Sequence, residues 1–197
     1  MSAVARRGGG SAGSTDGREP PRRAREPEVP ADPEEAARNL CLRLLTGTPR
    51  TRGQLAEAMR RKGIPEDAAE KVLSRFEDVG LIDDRAFADA WVESRHRGRG
   101  LARRALAREL RVRGVDSELV DRAVGQLDPD REEATARELV DRKLRATRGL
   151  DRERRVRRLA GMLARKGYSE GLALRVVRRA LEEEGEDPEF LQEHLPD

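Results

Sequence analysis

The chain predicts an all-α fold made of three tandem three-helix repeats, and three observations carry that prediction. A ten-residue pattern occurs three times: Leu55-Ala56-x-x-Met59-x-x-Lys62-Gly63-Ile64, Leu106-Ala107-x-x-Leu110-x-x-Arg113-Gly114-Val115 and Leu159-Ala160-x-x-Leu163-x-x-Lys166-Gly167-Tyr168. Self-similarity of this kind marks a repeat architecture. A helix starter stands two residues after each glycine, as Pro65, Asp116 and Ser169, and an apolar pair follows at Val72-Leu73, Ala123-Val124 and Val176-Val177. Apolar residues recur three and four apart throughout, and no segment alternates with the period of a strand.

Each copy of the pattern is a helix with its own stop. Leu and Met at i and i+4 form one apolar stripe, and a basic residue stands at the negative end of the helix dipole. The glycine is suited to the left-handed position just past the end, so the following residue should touch the one five before it. The expected pairs are Ile64 with Met59, Val115 with Leu110 and Tyr168 with Leu163.

The elements follow in order. Repeat 1 (34–82) opens with a helix from Glu34 to Leu45, with Leu40, Leu44 and Leu45 inward, that breaks at Thr46-Gly47-Thr48-Pro49. A second helix runs from Thr51 to Lys62, and a third from Pro65 to about Val79, stopped by Gly80. Repeat 2 (83–127) opens at Asp83-Asp84, which reads as an N-cap rather than a catalytic carboxylate pair, because an apolar helix face follows it. Its first helix carries Phe87, Trp91 and Val92, breaks around Gly98-Arg99-Gly100, and is followed by helices over Leu101–Arg113 and Asp116–Leu127. Repeat 3 (128–181) opens at Asp128-Pro129-Asp130, runs to about Thr147, breaks at Gly149, and continues through Lys166 and then from Ser169 to Leu181.

Composition bounds the rest. Residues 1–33 hold Gly8-Gly9-Gly10, five prolines and almost nothing large and apolar, so they read as a disordered arm. Residues 182–197 read as an acidic tail that competes with anionic ligands for the basic surfaces. Charged residues make up 40% of the chain and aromatics 3%, which predicts several thin cores instead of one large one. Cys41 is alone and flanked by Leu40 and Leu42, so it reads as a core residue. No run is long enough for a membrane helix and no signal peptide is evident, which together with the lone thiol predicts a soluble, cytoplasmic protein.

The net charge of +3 conceals two basic stretches. Arg95, Arg97, Arg99, Arg104, Arg108 and Arg111 lie in the first and Arg152, Arg154, Arg155 and Arg157 in the second; these ten are the candidate partner-binding residues. On a helical wheel Arg104, Arg108 and Arg111 gather opposite the stripe of Leu106 and Leu110, with no acid among them, which points to polyanions or acidic protein surfaces. His96 and His194 lack metal-ligand spacing, and no phosphate loop or nucleophile motif is present, so neither an enzyme nor a cofactor is expected. Phe76, Phe87, Trp91 and Tyr168 have the spacing of core residues rather than stacking platforms.

The string Gly80-Leu81-Ile82-Asp83-Asp84-Arg85-Ala86-Phe87-Ala88, followed by Arg95, Gly100, Glu109-Leu110 and Arg113-Gly114-Val115, resembles the RecX family of regulators. Pro49-Arg50-Thr51-Arg52-Gly53-Gln54-Leu55 is similar to that family's Arg-Ser-x-x-Glu-Leu stretch, with Thr51 for Ser and Gln54 for the acid, and Arg165-Lys166-Gly167-Tyr168-Ser169 resembles its Arg-Arg-Gly-Phe-Ser. The resemblance covers about residues 34–181. It implies an elongated, curved array of three-helix units, monomeric when free, lying in the groove of the RecA–single-stranded DNA filament. It also implies a negative modulator that limits strand exchange, ATP hydrolysis and co-protease activity, and so homologous recombination, DNA repair and the SOS response. Partners expected on this basis are RecA and single-stranded DNA, with duplex DNA a further ligand and no membrane. The alternative is a helix-turn-helix regulator of duplex DNA, since helix–glycine–helix units recur.

Overall fold

The computed structural model describes residues 31–185; the expected arm up to residue 30 and the expected tail from residue 186 lie outside the described residues. Within them the chain is all-α: α1 (Pro33–Gly47), α2 (Arg52–Arg61), α3 (Glu66–Asp78), α4 (Asp84–Arg99), α5 (Arg103–Val112), α6 (Ser117–Gly125), α7 (Pro129–Leu144), a 3-10 turn (Arg145–Thr147), α8 (Arg152–Arg165) and α9 (Glu170–Gly185).

The starts and stops have local causes. Side chains of Asp32, Thr51, Asp83, Asp116, Asp128 and Asp151 accept from backbone N–H groups in the first turns of α1, α2, α4, α6, α7 and α8. Thr51 and Gln54 complete a reciprocal capping box, so both substitutions relative to the family motif keep its chemistry. Pro65 takes the cap position of α3 instead of its first turn. Gly63, Gly114 and Gly167 have φ of 71°, 75° and 91°. The next residue in each case donates back to the carbonyl five before it, at 3.2 Å: Ile64 to Met59, Val115 to Leu110 and Tyr168 to Leu163.

Three cores result. Leu40, Leu55, Met59, Leu73, Phe76 and Ile82 fill the first; Val92, Leu106, Leu110, Val120 and Leu127 the second; Leu139, Leu159, Leu163, Tyr168 and Val177 the third. Leu55, Leu106 and Leu159 occupy equivalent positions and are fully buried, each contributing about 2 kcal/mol. Cys41 is buried in the first core, which pushes its thiol pKa up to about 11. α9 runs past Leu181 to Gly185, because Glu184 folds onto the third repeat as an ion-pair partner.

Extensive helix–helix packing is confined within repeats, and neighbouring repeats meet through turns. The same joint is built twice. The hydroxyl of Thr51, which caps α2, donates to the carbonyl of Arg113 in the turn of repeat 2; the N–H of Ala102, which caps α5, donates to the carbonyl of Lys166 in the turn of repeat 3 at 2.9 Å. A carboxylate from the first helix of the following repeat then caps the preceding repeat's middle helix: Asp84 accepts from the N–H of Arg52 at 2.8 Å, and Glu132 from that of Arg103 at 3.1 Å. Asp83 and Asp84 therefore have different tasks, one within its own helix and one across the joint. The glycines permit the close approach, since a Cβ on Gly114 would lie 3.0 Å from Gly53 Cα and one on Gly167 only 2.4 Å from the Ala105 nitrogen.

Candidate functional site

The two joints gather the basic residues into hollows. At the joint of repeats 2 and 3, the C-terminal turn of α4 brings Arg97 and Arg99 beside Arg131 and Arg142 of α7 and Lys166 of the third turn. Lys166 donates to the Arg99 carbonyl at 2.6 Å; burial and the neighbouring Arg142 and Arg99 charges push its pKa down. His96 is buried beneath this hollow. Its Nδ1 lies 2.9 Å from the Leu101 carbonyl and its Nε2 3.1 Å from the Thr135 hydroxyl, so it ties α4 to α7 as a structural strut.

A second hollow lies on the groove between α8 and α9, where Arg104 and Arg108 of α5 approach Arg157 and Arg165 over a floor of small residues. Among the described residues Arg104, Arg108 and Arg165 have no carboxylate within ion-pair distance, and Arg157 has only the exposed Glu153 at 3.6 Å. A third hollow lies at the joint of repeats 1 and 2, lined by Arg50, Arg61, Arg111 and Arg113. Beside it, the guanidinium carbons of Arg95 and Arg113 lie 4.2 and 3.6 Å from the Trp91 ring centroid. Trp91 stacks on Phe87 and donates to Glu109 at 2.9 Å. Arg113 is held below its usual pKa by burial, with the Arg95 charge adding to it against Glu109.

The ten arginines singled out by sequence are thus distributed among different settings. Arg104, Arg108 and Arg157 share one hollow, and Arg97 and Arg99 another. Arg97 pairs with Glu93, and Arg99 lies 3.7 Å from Glu109. Arg111 turns to the other joint and pairs with Asp121 at 3.0 Å, so the face drawn on the helical wheel divides between two seams. Arg152 and Arg154, at the far end of α8, pair with Glu182 at 3.5 Å and Asp151 at 3.1 Å. Arg155 is largely but not fully buried: it pairs with Glu184 and donates to the Thr147 hydroxyl at 3.1 Å. Arg142, Arg165, Lys166 and Arg113 also line these hollows and are not among the ten. A basic residue before each glycine is visible in the repeat itself, but only the joints show that it borders a hollow.

These surfaces offer guanidinium and ammonium donors to anions. Among the described residues no three His, Cys, Asp or Glu side chains are grouped to hold a metal, and no helix is long and apolar enough to cross a membrane.

Comparison with known proteins agrees with the repeat structure. Three family models match in tandem: the first three-helix domain of RecX over residues 37–76, the second over 83–124 and the third over 130–177. The regulatory protein RecX of Streptomyces coelicolor is 75% identical over 169 residues, covering 86% of this chain and 90% of that protein. That of Thermobifida fusca is 59% identical over 180 residues, covering 90% and 95%. The crystal structure of RecX from Lactobacillus salivarius shares the fold with a TM-score of 0.71 at 18% identity, over 76% of this chain and 97% of that one. Another RecX crystal structure aligns with a TM-score of 0.65 at 25% identity, over 72% and 70%. With three consecutive domain matches and relatives of this identity along most of its length, the chain belongs to the RecX family of regulatory proteins.

Proposed function

We propose that the chain is a non-enzymatic negative modulator of RecA, binding the RecA–single-stranded DNA filament and limiting strand exchange, ATP hydrolysis and co-protease activity in the cytoplasm. The observation that carries this reading is the pair of basic hollows flanking the joint of repeats 2 and 3, one of which holds arginines without acid partners among the described residues. A tandem array suits a filament, because successive repeats engage successive subunits and each weak contact raises the effective concentration of the next. Guanidiniums in such a surface meet either phosphates or acidic RecA side chains. The duplex-DNA reading has less support: acids on the third helices of repeats 1 and 2 are engaged with arginines, Glu70 with Arg52 and Asp121 with Arg111, where a recognition helix would present base-reading side chains.

The test is RecA-promoted strand exchange and single-strand-dependent ATP hydrolysis, titrated with wild type and with the double variant Arg104→Glu/Arg108→Glu. Both side chains are exposed and face away from the second core, so circular dichroism should be unchanged. Wild type should suppress both reactions, and the variant should need on the order of tenfold more protein, as expected when a charge-assisted cluster is reversed. A wild type without effect on RecA would overturn the function. A folded variant of full potency would overturn the assignment of these two arginines.

A further inference from the structure

The groove between the second and third helices recurs in each repeat, and its charge changes along the chain. In repeat 1 Glu57 holds Arg60 and Glu70 holds Arg52, so the groove neutralises itself. In repeat 2 Asp121, seven residues after the glycine as Glu70 is, holds Arg111. In repeat 3 that position is Leu174, and Gly161 stands where repeat 1 has Glu57. Both acids are gone. The result is a groove of about 550 Å³ with Ala160, Gly161, Ala164, Ala173 and Leu174 as its floor and Arg104, Arg108, Arg157 and Arg165 at its rim; Glu170 is the acid on its wall.

An occupant of this groove needs anionic groups for the rim and bulky apolar groups for a floor of small side chains. Unstacked bases match it poorly. The aromatic residue of the wall, Tyr168, is buried and its hydroxyl donates to the Gly100 carbonyl at 3.2 Å, so no ring face is free for stacking. The chain itself carries a segment of the required chemistry. Residues 186–197 contain Glu186, Asp187, Glu189, Glu193 and Asp197 with no Lys or Arg, together with Phe190, Leu191 and Leu195. They follow directly on α9, whose N-terminal half forms one wall of the groove. From Gly185 back to Leu174 is about 16 Å along the helix, and twelve residues of extended chain reach about 40 Å.

We propose that residues 186–197 dock in the groove of the third repeat, with their carboxylates on Arg104, Arg108, Arg157 and Arg165 and their apolar side chains over Gly161, Ala164 and Leu174. Tethering makes this contact intramolecular, at an effective concentration on the order of millimolar, so a weak intrinsic affinity suffices. Docking itself does not depend on the RecA reading. Its consequence does: the segment covers arginines that the partner surface needs, and an anionic partner has to displace it.

The test uses the full chain, uniformly ¹⁵N-labelled, with Gln192→Cys carrying a nitroxide; Cys41 is buried and its high thiol pKa keeps it unlabelled. Amide signals of Gly161, Ala164 and Leu174 should weaken at least about twofold relative to the reduced nitroxide, as expected for a tethered contact of this effective concentration. Those of Glu57, Arg60 and Glu70 should not, and Arg104→Glu/Arg108→Glu should restore the weakened signals. Equal weakening in the first and third repeats, or weakening that survives the charge reversal, would overturn the proposal. So would weakening seen only when ¹⁵N chain is mixed with a separate spin-labelled chain, which would make a second copy the occupant. Absence of weakening would overturn it too, and a short thymidine oligonucleotide that then shifts the same amides would assign the groove to nucleic acid instead. No RecA is present, so failure here leaves the strand-exchange assay as an independent test of the function.

Discussion

Gly80 and Gly167 separate the cost of backbone strain from the cost of opening a joint. Both adopt left-handed φ, 72° and 91°, but a Cβ on Gly80 meets nothing within 4 Å, whereas one on Gly167 lies 2.4 Å from the Ala105 nitrogen and 2.7 Å from its Cβ. Gly80→Ala therefore costs only the left-handed penalty, about 1–2 kcal/mol. Gly167→Ala adds an overlap with rigid backbone, which side-chain rotation cannot relieve, and overpacking of that kind costs about 1–3 kcal/mol more. The expected totals are about 1–2 and 2–5 kcal/mol, and at this chain length each kcal/mol lowers Tm by about 2–4 °C. Thermal melts followed by circular dichroism read the totals. Hydrogen exchange at the Ala102 amide, which donates to the Lys166 carbonyl across the same joint, reads the location. Exchange there should accelerate in Gly167→Ala and stay as in wild type in Gly80→Ala. Melting points within a degree of each other, or an Ala102 amide equally protected in both, would refute the claim that the glycine is required by the joint.

Asp84→Ala should lose about 1 kcal/mol, the worth of a helix cap, by stripping the Arg52 N–H of its acceptor, while Asp84→Asn keeps an acceptor in place and should lose less than half of that in urea melts. Equal losses in the two variants would show that charge rather than the hydrogen bond carries the contact. Glu184 governs acid stability of the third repeat. Burial raises its pKa, but hydrogen bonds from Arg148 and Arg155 and their charges outweigh burial and hold it below the ordinary 4.5. A depressed carboxylate contributes its full stabilisation above pH 4.5 and loses it as pH falls through the folded-state value. Glu184→Gln should cost about 1–3 kcal/mol at neutral pH, since it leaves the largely buried Arg155 without its counter-charge while solvent compensates part of the loss. Its Tm should also fall less than that of wild type between neutral pH and pH 3, and parallel acid profiles would contradict the assignment.

Much of this architecture is written in short-range signals. The stripe Leu55/Met59, the capping box of Thr51 and Gln54 and the glycine stop are all decided within five residues, and the three copies corroborate one another. The joints are not legible in that way. Asp84 meets the Arg52 N–H across 32 positions and Thr51 meets the Arg113 carbonyl across 62, with nothing local to mark either pairing. The basic surface shows the same division. A helical wheel treats α5 as isolated and groups Arg104, Arg108 and Arg111, yet Asp121 of α6 engages the last of these while the other two face α8. In a run of arginines Arg155 looks like its neighbours, and only the return of α9, which carries Glu184, distinguishes it as the least exposed of them.

That largely buried arginine also sets the third repeat apart at the position used by the two joints. In repeats 1 and 2 the docking point for the next turn is the residue four before the first leucine of the pattern, Thr51 and Ala102, each in the cap position of a middle helix. The equivalent residue of repeat 3 is Arg155, and there it is not a cap: α8 starts a turn earlier, with Asp151 as its cap. Its guanidinium is held between Glu184, the Thr147 hydroxyl and the Leu144 carbonyl, so the place where a further glycine turn would arrive is filled by an ion pair. Repeat arrays distinguish capping units by an outer face unlike the inner ones, and this exchange of a small cap for a largely buried charge pair gives the third repeat such a face. Among the described residues there are thus two joints of one design, and the equivalent docking point of the third repeat is occupied by its own side chains. Arg104, Arg108 and Arg165, which have no acid within ion-pair distance among the described residues, gather at the seam of the second and third repeats, where a curved or periodic anionic partner can reach two repeats together.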